Sequence, residues 1–195
     1  MKNLKISRRY NLMKKILIIL FLFLSTLKGE AVENPKIILK TIHGDVKIEL
    51  FKDVAPNHVN RILELSKNGK YDGVAFHRVI DGFMAQTGDV QHGNTKNNFN
   101  PAMVGTGGSD LPDLKAEFNN IPHERGTLSM ARSQNPDSAN SQFFICFDKA
   151  PHLDRQYTAF GKVLEGMEFI DKIKRGAPGS GAVSNPDIIV SITVQ

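Results

Sequence analysis

A mainly β fold, a closed eight-stranded antiparallel β-barrel capped by two α-helices, is the fold class that the sequence predicts. Three observations support it: about eight short apolar runs are separated by turn residues, only two segments have the apolar spacing of a helix, and there is no internal repeat. Many short strands with frequent turns are typical of antiparallel barrels, whereas parallel sheets alternate strands with helices.

The first elements have clear sequence signals. Ile37–Ile42 and Val46–Phe51 are strand-like runs on either side of His-Gly-Asp (43–45), a pattern that predicts a β-hairpin. Pro56 suits the first turn of a helix, and the following residues have apolar side chains at helical spacing. Asn-Gly at 68–69 predicts the end of that helix, because glycine caps helix C-termini well.

The remaining elements follow the same criteria. Between them, Val90–Pro112 is rich in Gly, Asn, Asp and Pro and predicts a long loop, which is either functional or an insertion. A second amphipathic helix is predicted over Glu165–Lys174, ending near Gly176. The further predicted strands are Val74–Ile80, Phe83–Thr87, Gly126–Ala131, Gln142–Phe147, Tyr157–Val163 and Asp187–Val194.

The N-terminal segment has the composition of a secretory signal peptide. Ile16–Leu24 is an unbroken apolar run that follows Lys14 and Lys15, and a cleavage after Ala31 would divide the chain into a signal peptide, 1–31, and a domain, 32–195. A start at Met13 would give a more compact signal peptide, and this alternative start stays open. An uncleaved leader that tethers the domain to a membrane is the alternative, although the apolar run is short for a membrane span.

The charge of the chain divides unevenly between these two parts. Residues 1–31 hold seven Lys/Arg and one Glu of the chain's 25 basic and 20 acidic residues, which leaves 18 basic and 19 acidic residues for 32–195. The domain therefore has a net charge of −1, and the sequence pI of about 9.3 reflects the leader. We expect no nucleic-acid binding by the domain.

The common catalytic and metal-binding motifs are missing from the sequence. It contains no HExxH, CxxC or GxSxG motif, and the six histidines are scattered, which favours surface or capping positions. The glycine-rich segment 105–108 lacks the lysine of a phosphate-binding loop, so nucleotide binding is rejected. Cys146, the single cysteine, lies in the apolar run FFICF and is interpreted as a buried, inert thiol.

The stretch FHRVIDGFMAQTGD (76–89) carries the most distinctive chemistry. Strand alternation gives its first half two faces, one with Phe76, Arg78 and Ile80 and the other with His77 and Val79. A charge inside an apolar strand needs a partner or a task, because leaving water is costly. The stretch is either a hairpin with a surface arginine or a site that binds an apolar group carrying a carbonyl.

This stretch, together with GTGG (105–108), GTLSMA (126–131), SQFFICF (141–147) and FGKV (160–163), resembles the cyclophilin family of peptidyl-prolyl cis–trans isomerases. The resemblance extends from about Pro35 to Val194. It implies the eight-stranded barrel with two helices and an enzyme that rotates X–Pro peptide bonds without a cofactor or a metal ion.

Site residues follow from the resemblance, position by position. It implies that Arg78 is the catalytic residue and that His77 beside it has a structural or supporting role. The implied substrate-binding residues are Phe83, Met84, Phe144 and Leu153 in a proline pocket, Gln86, Ala131 and Gln142 along the peptide, and Arg132, His152 and Tyr157 at the edges.

Several positions depart from the family pattern. His152 stands where many members have tryptophan, a residue that contacts cyclosporin, so we expect weak inhibition by that drug. Tyr157 replaces the usual pocket histidine, and Arg132 replaces an asparagine whose backbone makes most of the peptide contact, so catalysis should survive both changes. The stretch Val90–Val104 is longer than in the shortest members and is expected to alter which flanking residues the groove accepts.

The resulting prediction is an exported prolyl isomerase, periplasmic in a bacterium, that assists the folding of exported proteins. Its expected partners are proline-containing peptides and unfolded or partly folded proteins, and we expect a monomer that contacts a membrane only if the leader is uncleaved. The alternative is a binding module with the same fold that captures proline-containing segments without turnover. A structural or adhesion protein has little support, because the sequence has no second domain or repeat.

Overall fold

The structure, a computed structural model, describes residues 33–97 and 99–195, so the predicted signal peptide at 1–31 lies outside the described residues. The strands are β1 (Lys36–Thr41), β2 (Gly44–Leu50), β3 (Arg78–Ile80), β4 (Met84–Thr87), β5 (Thr127–Met130), β6 (Phe143–Cys146), β7 (Ala159–Glu165) and β8 (Ile189–Val194). The helices are α1 (Pro56–Lys67), α2 (Met167–Ile170) and a 3-10 turn at Pro151–Leu153.

All eight strands form one antiparallel sheet in the order β3-β4-β6-β5-β7-β2-β1-β8. The prediction of a mainly β fold with eight antiparallel strands and two helices is confirmed. The predicted closure is not, because the sheet curls into an open half-barrel with β3 and β8 at its edges.

The open edge has a local cause. Strand β3 is only three residues long, and its outer side is occupied by the segment 176–183. The amide of Val79 donates to the Gly181 carbonyl at 2.7 Å, and the amide of Gly176 donates to the Val79 carbonyl at 2.9 Å. This segment therefore takes the hydrogen bonds that a closing strand would need.

Helix α1 begins and ends as predicted. Pro56 occupies its first turn, and Gly69, at φ +64°, follows the C-cap residue. The N-cap residue, Ala55, offers no side-chain hydrogen bond. Glu117, which lies in a loop distant in sequence, caps the helix instead: its carboxylate accepts hydrogen bonds from the backbone amides of Asn57 and His58, each at 3.1 Å.

The second predicted helix is shorter than expected. Glu165 ends β7, where it pairs with Lys47 of β2, and Gly166 follows at φ +89°. Helix α2 covers only Met167–Ile170 of the predicted Glu165–Lys174. Glu165, the first residue of the amphipathic pattern, therefore belongs to the sheet, and the left-handed Gly166 sets the start of the helix.

The main core lies between the sheet and α1. Phe143 and Phe160 meet edge to face within it, with ring centroids 6.1 Å apart, and both are almost fully buried. Phe76 also belongs to this core, so its predicted place on the Arg78 face is wrong. The strand begins only at Arg78, and the alternation therefore does not extend back to Phe76.

The predicted loop at Val90–Pro112 contains no helix or strand among its described residues. Its conformation is set by polar contacts, including a bridge between Val74 and Asn94. The loop passes next to the site described below, because Gly105 and Gly107 lie at the site's rim.

Candidate active site

A second apolar cluster lies on the face of β4 and β6 that points away from the main core. Met84 and Gln86 alternate with core residues along β4, and Phe144 and Cys146 do so along β6. Antiparallel pairing places Met84 opposite Cys146 and Gln86 opposite Phe144. The alternation of strand side chains thus gives this face an apolar floor with an amide at one side.

The cluster surrounds a cavity of about 200 Å³ that opens at the surface. Leu153 and the partly buried Phe83 and Tyr157 contribute to its apolar lining. Nine of the predicted site residues line this cavity: Arg78, Phe83, Met84, Gln86, Ala131, Arg132, Phe144, Leu153 and Tyr157.

The other two predicted residues lie at its borders. Gln142 lines an adjoining cavity of about 390 Å³ that shares Gln86, Ala131 and Arg132 with the first. His152 packs on Phe83, with ring centroids 5.5 Å apart. The structure therefore brings all eleven predicted side chains together, while their roles stay predictions.

Arg78 is held at the polar edge of the smaller cavity. Its Nε donates to the Ser180 carbonyl at 3.2 Å, and Nη1 donates to Gln86 Oε1 at 3.3 Å. Arg78 and Gln86 are direct partners in the β3–β4 ladder. These two bonds leave guanidinium N–H groups that can donate to a ligand, because arginine has five donors and no acceptor.

A row of side-chain amides continues from Gln86. Gln86 Nε2 donates to Gln142 Oε1 at 2.9 Å, and Gln142 Nε2 donates to the carbonyls of Gly105 and Gly107 at 3.0 and 2.8 Å. Both glutamines are thereby held in one orientation beside the cavities.

Arg132 and Tyr157 form one wall. The Arg132 guanidinium lies over the Tyr157 ring at 4.3 Å from the centroid and donates to the carbonyls of Ser133 and Gln156. The Tyr157 ring in turn meets Phe144 edge to face, with centroids 6.1 Å apart. The two departures from the family pattern thus stabilise each other by a cation–π contact.

Behind the cavity lies His123, which no sequence pattern singled out. Its Nδ1 is 2.9 Å from Asp154 Oδ1, its Nε2 is 2.9 Å from Ser129 Oγ, and its ring stacks on Phe144 at 6.3 Å. Burial lowers the pKa of His123, although Asp154 opposes that shift. Its sequence context, a polar stretch before Gly126, carries no chemical signal by itself.

The assignment of histidines to surface or capping positions is wrong for three of the six. His58, His77 and His123 are buried, and burial lowers the pKa of each below its usual value. Both ring nitrogens of His77 are buried without a hydrogen-bond partner in the described chain. Contacts distant in sequence bury these rings, so spacing alone did not reveal them.

The assignment of Cys146 is confirmed. The residue is fully buried, and burial raises the pKa of its thiol to about 12, so the reactive thiolate is unpopulated near neutral pH. In the part of the chain that is described, no three His, Cys, Asp or Glu side chains lie close enough to hold a metal ion. That same part has no helix of the length and apolarity that a membrane crossing requires.

Comparison with known proteins identifies related molecules. The family model for cyclophilin-type peptidyl-prolyl cis–trans isomerases matches residues 36–194. A probable peptidyl-prolyl cis–trans isomerase of Brucella suis is 59% identical over 160 residues, which is 82% of this chain and 82% of that protein. A peptidyl-prolyl cis–trans isomerase of Helicobacter pylori is 40% identical over 154 residues, covering 77% of this chain and 87% of that one.

Among solved structures, a cyclophilin-type isomerase of Cryptosporidium parvum, crystallised in the presence of the dipeptide Ala-Pro, superposes with a TM-score of 0.71. The sequence identity is 30%, and the superposition covers 82% of this chain and 98% of that protein.

Proposed function

Because the chain belongs to the cyclophilin family and is a peptidyl-prolyl cis–trans isomerase, we propose that Arg78 is its catalytic residue and that the 200 Å³ cavity binds the substrate's proline ring. One observation supports this proposal most directly: the Arg78 guanidinium is fixed at the edge of a cavity whose floor is Met84 and Phe144.

The barrier that the enzyme lowers is electronic. A peptide bond resists rotation by ~18–20 kcal/mol because its nitrogen shares a lone pair with the carbonyl. Uncatalysed X–Pro exchange takes tens to hundreds of seconds, slow enough to limit folding. In the twisted transition state the conjugation is lost, and the proline nitrogen becomes pyramidal and more basic.

The guanidinium of Arg78 acts on the difference between the planar peptide bond and the twisted transition state. It donates to the proline nitrogen, or holds the proline carbonyl, more strongly in the twisted state than in the planar one. Only interactions that strengthen in the transition state accelerate a reaction. Arginine suits this role because it stays charged and offers its donors in a fixed fork.

The rest of the groove holds the substrate while the bond turns. Phe83, Met84, Phe144 and Leu153 enclose the proline ring, and Gln86, Gln142 and the Ala131 backbone hold the peptide beside it. The adjoining 390 Å³ cavity is wide enough for a side chain that precedes the proline. The Cryptosporidium parvum protein, crystallised in the presence of Ala-Pro, supports a substrate that is a proline-containing peptide.

We also propose an exported, bacterial enzyme that assists the folding of exported proteins, with residues 1–31 as its signal peptide. The lysines before the apolar run support export, and the bacterial relatives support the source. N-terminal sequencing of the protein recovered from the periplasm tests it, and a retained leader would show a membrane tether instead.

Exchange NMR on a short Ala-Pro peptide tests the catalytic role. We expect Arg78→Ala to lower kcat/KM by about 10²- to 10³-fold, as for the removal of one preorganised donor in other enzymes. The folded fraction of both proteins, checked by circular dichroism, is the control. A near-normal rate in the variant would remove Arg78 from the mechanism, and peptide binding without acceleration in the wild-type protein would favour a recognition module.

A further inference from the structure

Asp89 is a buried carboxylate to which the mechanism above gives no task. Its side chain is fully buried, and it forms no ion pair with any residue in 33–97 or 99–195. Burying an unpaired charge is costly unless hydrogen bonds replace the lost water. Asp89 meets this requirement with four backbone amides and with no side chain.

Those four amides come from two separate places. Asp89 Oδ1 accepts from Gln91 and His92 at 3.1 and 2.8 Å, directly after it in the chain. Asp89 Oδ2 accepts from Gly105 and Gly107 at 2.7 and 3.0 Å. One carboxylate therefore joins the beginning of the long loop to Gly105 and Gly107, further along the same loop.

The approach of the loop to Asp89 requires glycine at 107. A Cβ added to Gly107 would lie 2.5 Å from Asp89 Oδ1 and 2.8 Å from Gln91 Cβ. Any other residue would push the loop away from the carboxylate. The sequence and the geometry at this point thus favour close contact between loop and carboxylate.

The loop that Asp89 holds is also the anchor of the amide row. The carbonyls of Gly105 and Gly107 can only accept, so Gln142 must turn its NH₂ group toward them and its Oε1 toward Gln86. Gln86 must then present its own NH₂ group to Gln142 and its Oε1 to Arg78, whose guanidinium can only donate.

The direction of every bond in this row follows from its two ends. Carbonyls that only accept lie at one end, and a guanidinium that only donates lies at the other. Two amides in series between such ends have one orientation that satisfies all the bonds.

We propose that Asp89 is a positioning residue for the catalytic arginine: by fixing the Gly105 and Gly107 carbonyls, it orients Gln142 and Gln86 and thereby the Arg78 guanidinium. The proposal rests on the catalytic role proposed for Arg78. Asp89 is too deeply buried to touch a substrate, and its hydrogen bonds reach Arg78 through the loop and the two amides.

A double-mutant cycle on the full-length protein tests this. Asp89→Asn keeps the shape of the side chain but turns an NH₂ group toward two backbone donors, so one pair of amides is released. The variant is made in the wild-type protein and in Arg78→Ala, and exchange of an Ala-Pro peptide is measured at saturation together with its dissociation constant. The residue before the proline in this substrate is alanine, which presents only a methyl group to the larger cavity, so direct loop contacts contribute little.

We expect Asp89→Asn to lower kcat by about 10- to 10²-fold, as other small displacements of catalytic groups do. Any loss of the peptide contacts of Gln86 and Gln142 appears separately, in the dissociation constant, and should be the same with and without Arg78. In Arg78→Ala it should cause no further loss of kcat, because the group that it positions is gone. An equal fold-loss in both backgrounds, or no loss in the wild-type protein, overturns the proposal.

Two further variants keep the test decisive. Asp187→Asn is the matched control. Asp187 is a partly buried carboxylate that accepts from the Lys174 amide and from His43, and no series of side-chain hydrogen bonds among the described residues connects it to Arg78, so kcat should stay within about twofold. Gly107→Ala moves the loop away from Asp89 by changing the loop instead of the carboxylate. It is used in place of Asp89→Asn if that variant does not fold. It should show the same dependence on Arg78, and additive losses overturn the proposal.

The outcomes also separate this proposal from the one it rests on. A near-normal rate in Arg78→Ala alone means that the catalytic role of Arg78 is wrong. A slow Arg78→Ala protein that Asp89→Asn slows again means that only the positioning role of Asp89 is wrong.

Discussion

The two faces of β4 and β6 carry the two apolar clusters that the described residues form, and the same residue types have different roles on each face. Phe143 points into the main core and is 1% exposed, whereas its neighbour Phe144 points into the proposed proline pocket and is 5% exposed. Both rings are buried, so burial does not distinguish them. The core ring is enclosed on all sides by side chains of the chain itself, and the pocket ring borders a cavity beside Arg78 and Gln86.

This comparison teaches where stability and activity reside. Side chains that the protein itself surrounds lose packing when they are truncated, and a cavity is left behind. Side chains that line an existing cavity have fewer contacts to lose, and their truncation acts on what enters the cavity. Successive residues of one strand can therefore be separated by their effects on folding and on turnover.

The largest effect is expected for the phenylalanine pair. Phe143→Ala should lower the unfolding free energy by ~3–5 kcal/mol, because a large aromatic ring leaves the core. Phe144→Ala should cost less stability and reduce the affinity for an Ala-Pro peptide more. Denaturant unfolding and peptide titration of both variants check this. Equal stability losses with equal peptide affinities would remove the distinction between the two faces.

Two buried histidines extend the comparison to pH. His58 of α1 lies on the core side, and His123 lies against Phe144 on the pocket side. Each places Nδ1 on a carboxylate, His58 on Glu117 at 2.6 Å and His123 on Asp154 at 2.9 Å. Burial lowers the pKa of both histidines despite these carboxylates, and Nε2 of His58 is buried without a partner.

The sign of the pH effect follows. Because the folded-state pKa values lie below 6.5, the unfolded chain binds more protons just below that pH, and the unfolding free energy falls as the pH drops below about 6.5. Each histidine contributes at most about 1.4 kcal/mol per pH unit.

Replacing either histidine should flatten the slope of unfolding free energy against pH. Denaturant unfolding between about pH 7.5 and about pH 5 measures this slope on either side of the usual pKa of a histidine side chain. His58→Asn should leave kcat/KM unchanged, whereas His123→Asn should also lower it, because Phe144 loses the ring it stacks on. An unchanged slope in both variants would contradict the assignment of neutral, buried rings.

The smallest effect is expected for two arginines that each stack on an aromatic ring. Arg132 lies over Tyr157 in the pocket wall, and Arg175 lies over Phe147 of the main core at 4.0 Å. A cation–π contact contributes ~0.5–1 kcal/mol at exposed sites. Arg132→Ala should therefore lower kcat/KM by about two- to fivefold, while Arg175→Ala, the matched control, should leave kcat/KM unchanged and lower only stability. An equal effect of both variants on turnover would show that the wall is not part of the site.

A good part of the fold could be predicted from the sequence because strand signals are local. Each of the eight strands overlaps a predicted run, and Pro56 and Asn68-Gly69 predicted the bounds of α1 to within a residue. The errors came where distant segments compete. Glu165 was predicted as helical, yet it pairs with Lys47, and the barrel was predicted to close, yet the segment 176–183 occupies the edge of β3.

The candidate site was predicted by resemblance and not by periodicity. Strand alternation alone did not decide whether Arg78 is a surface residue or part of a binding site. Only the resemblance to a family selected the eleven residues that the structure brings around the two cavities. Asp89 and His123 were missed because their partners lie 16–18 and 31 positions away in the chain. Their sequence contexts, a turn and a polar loop, are shared by many residues without such a role.

By itself, the sequence determined the strand order along the chain, the helix bounds set by proline and glycine, and the motifs that place the chain in its family. Those features depend on side-chain alternation and backbone preference within a few residues. Only the tertiary structure decided that the half-barrel stays open, that three histidines are buried, and that Asp89 reaches Arg78 through two amides. These depend on contacts between segments far apart in sequence, whose burial and hydrogen bonds exist only once the chain is folded.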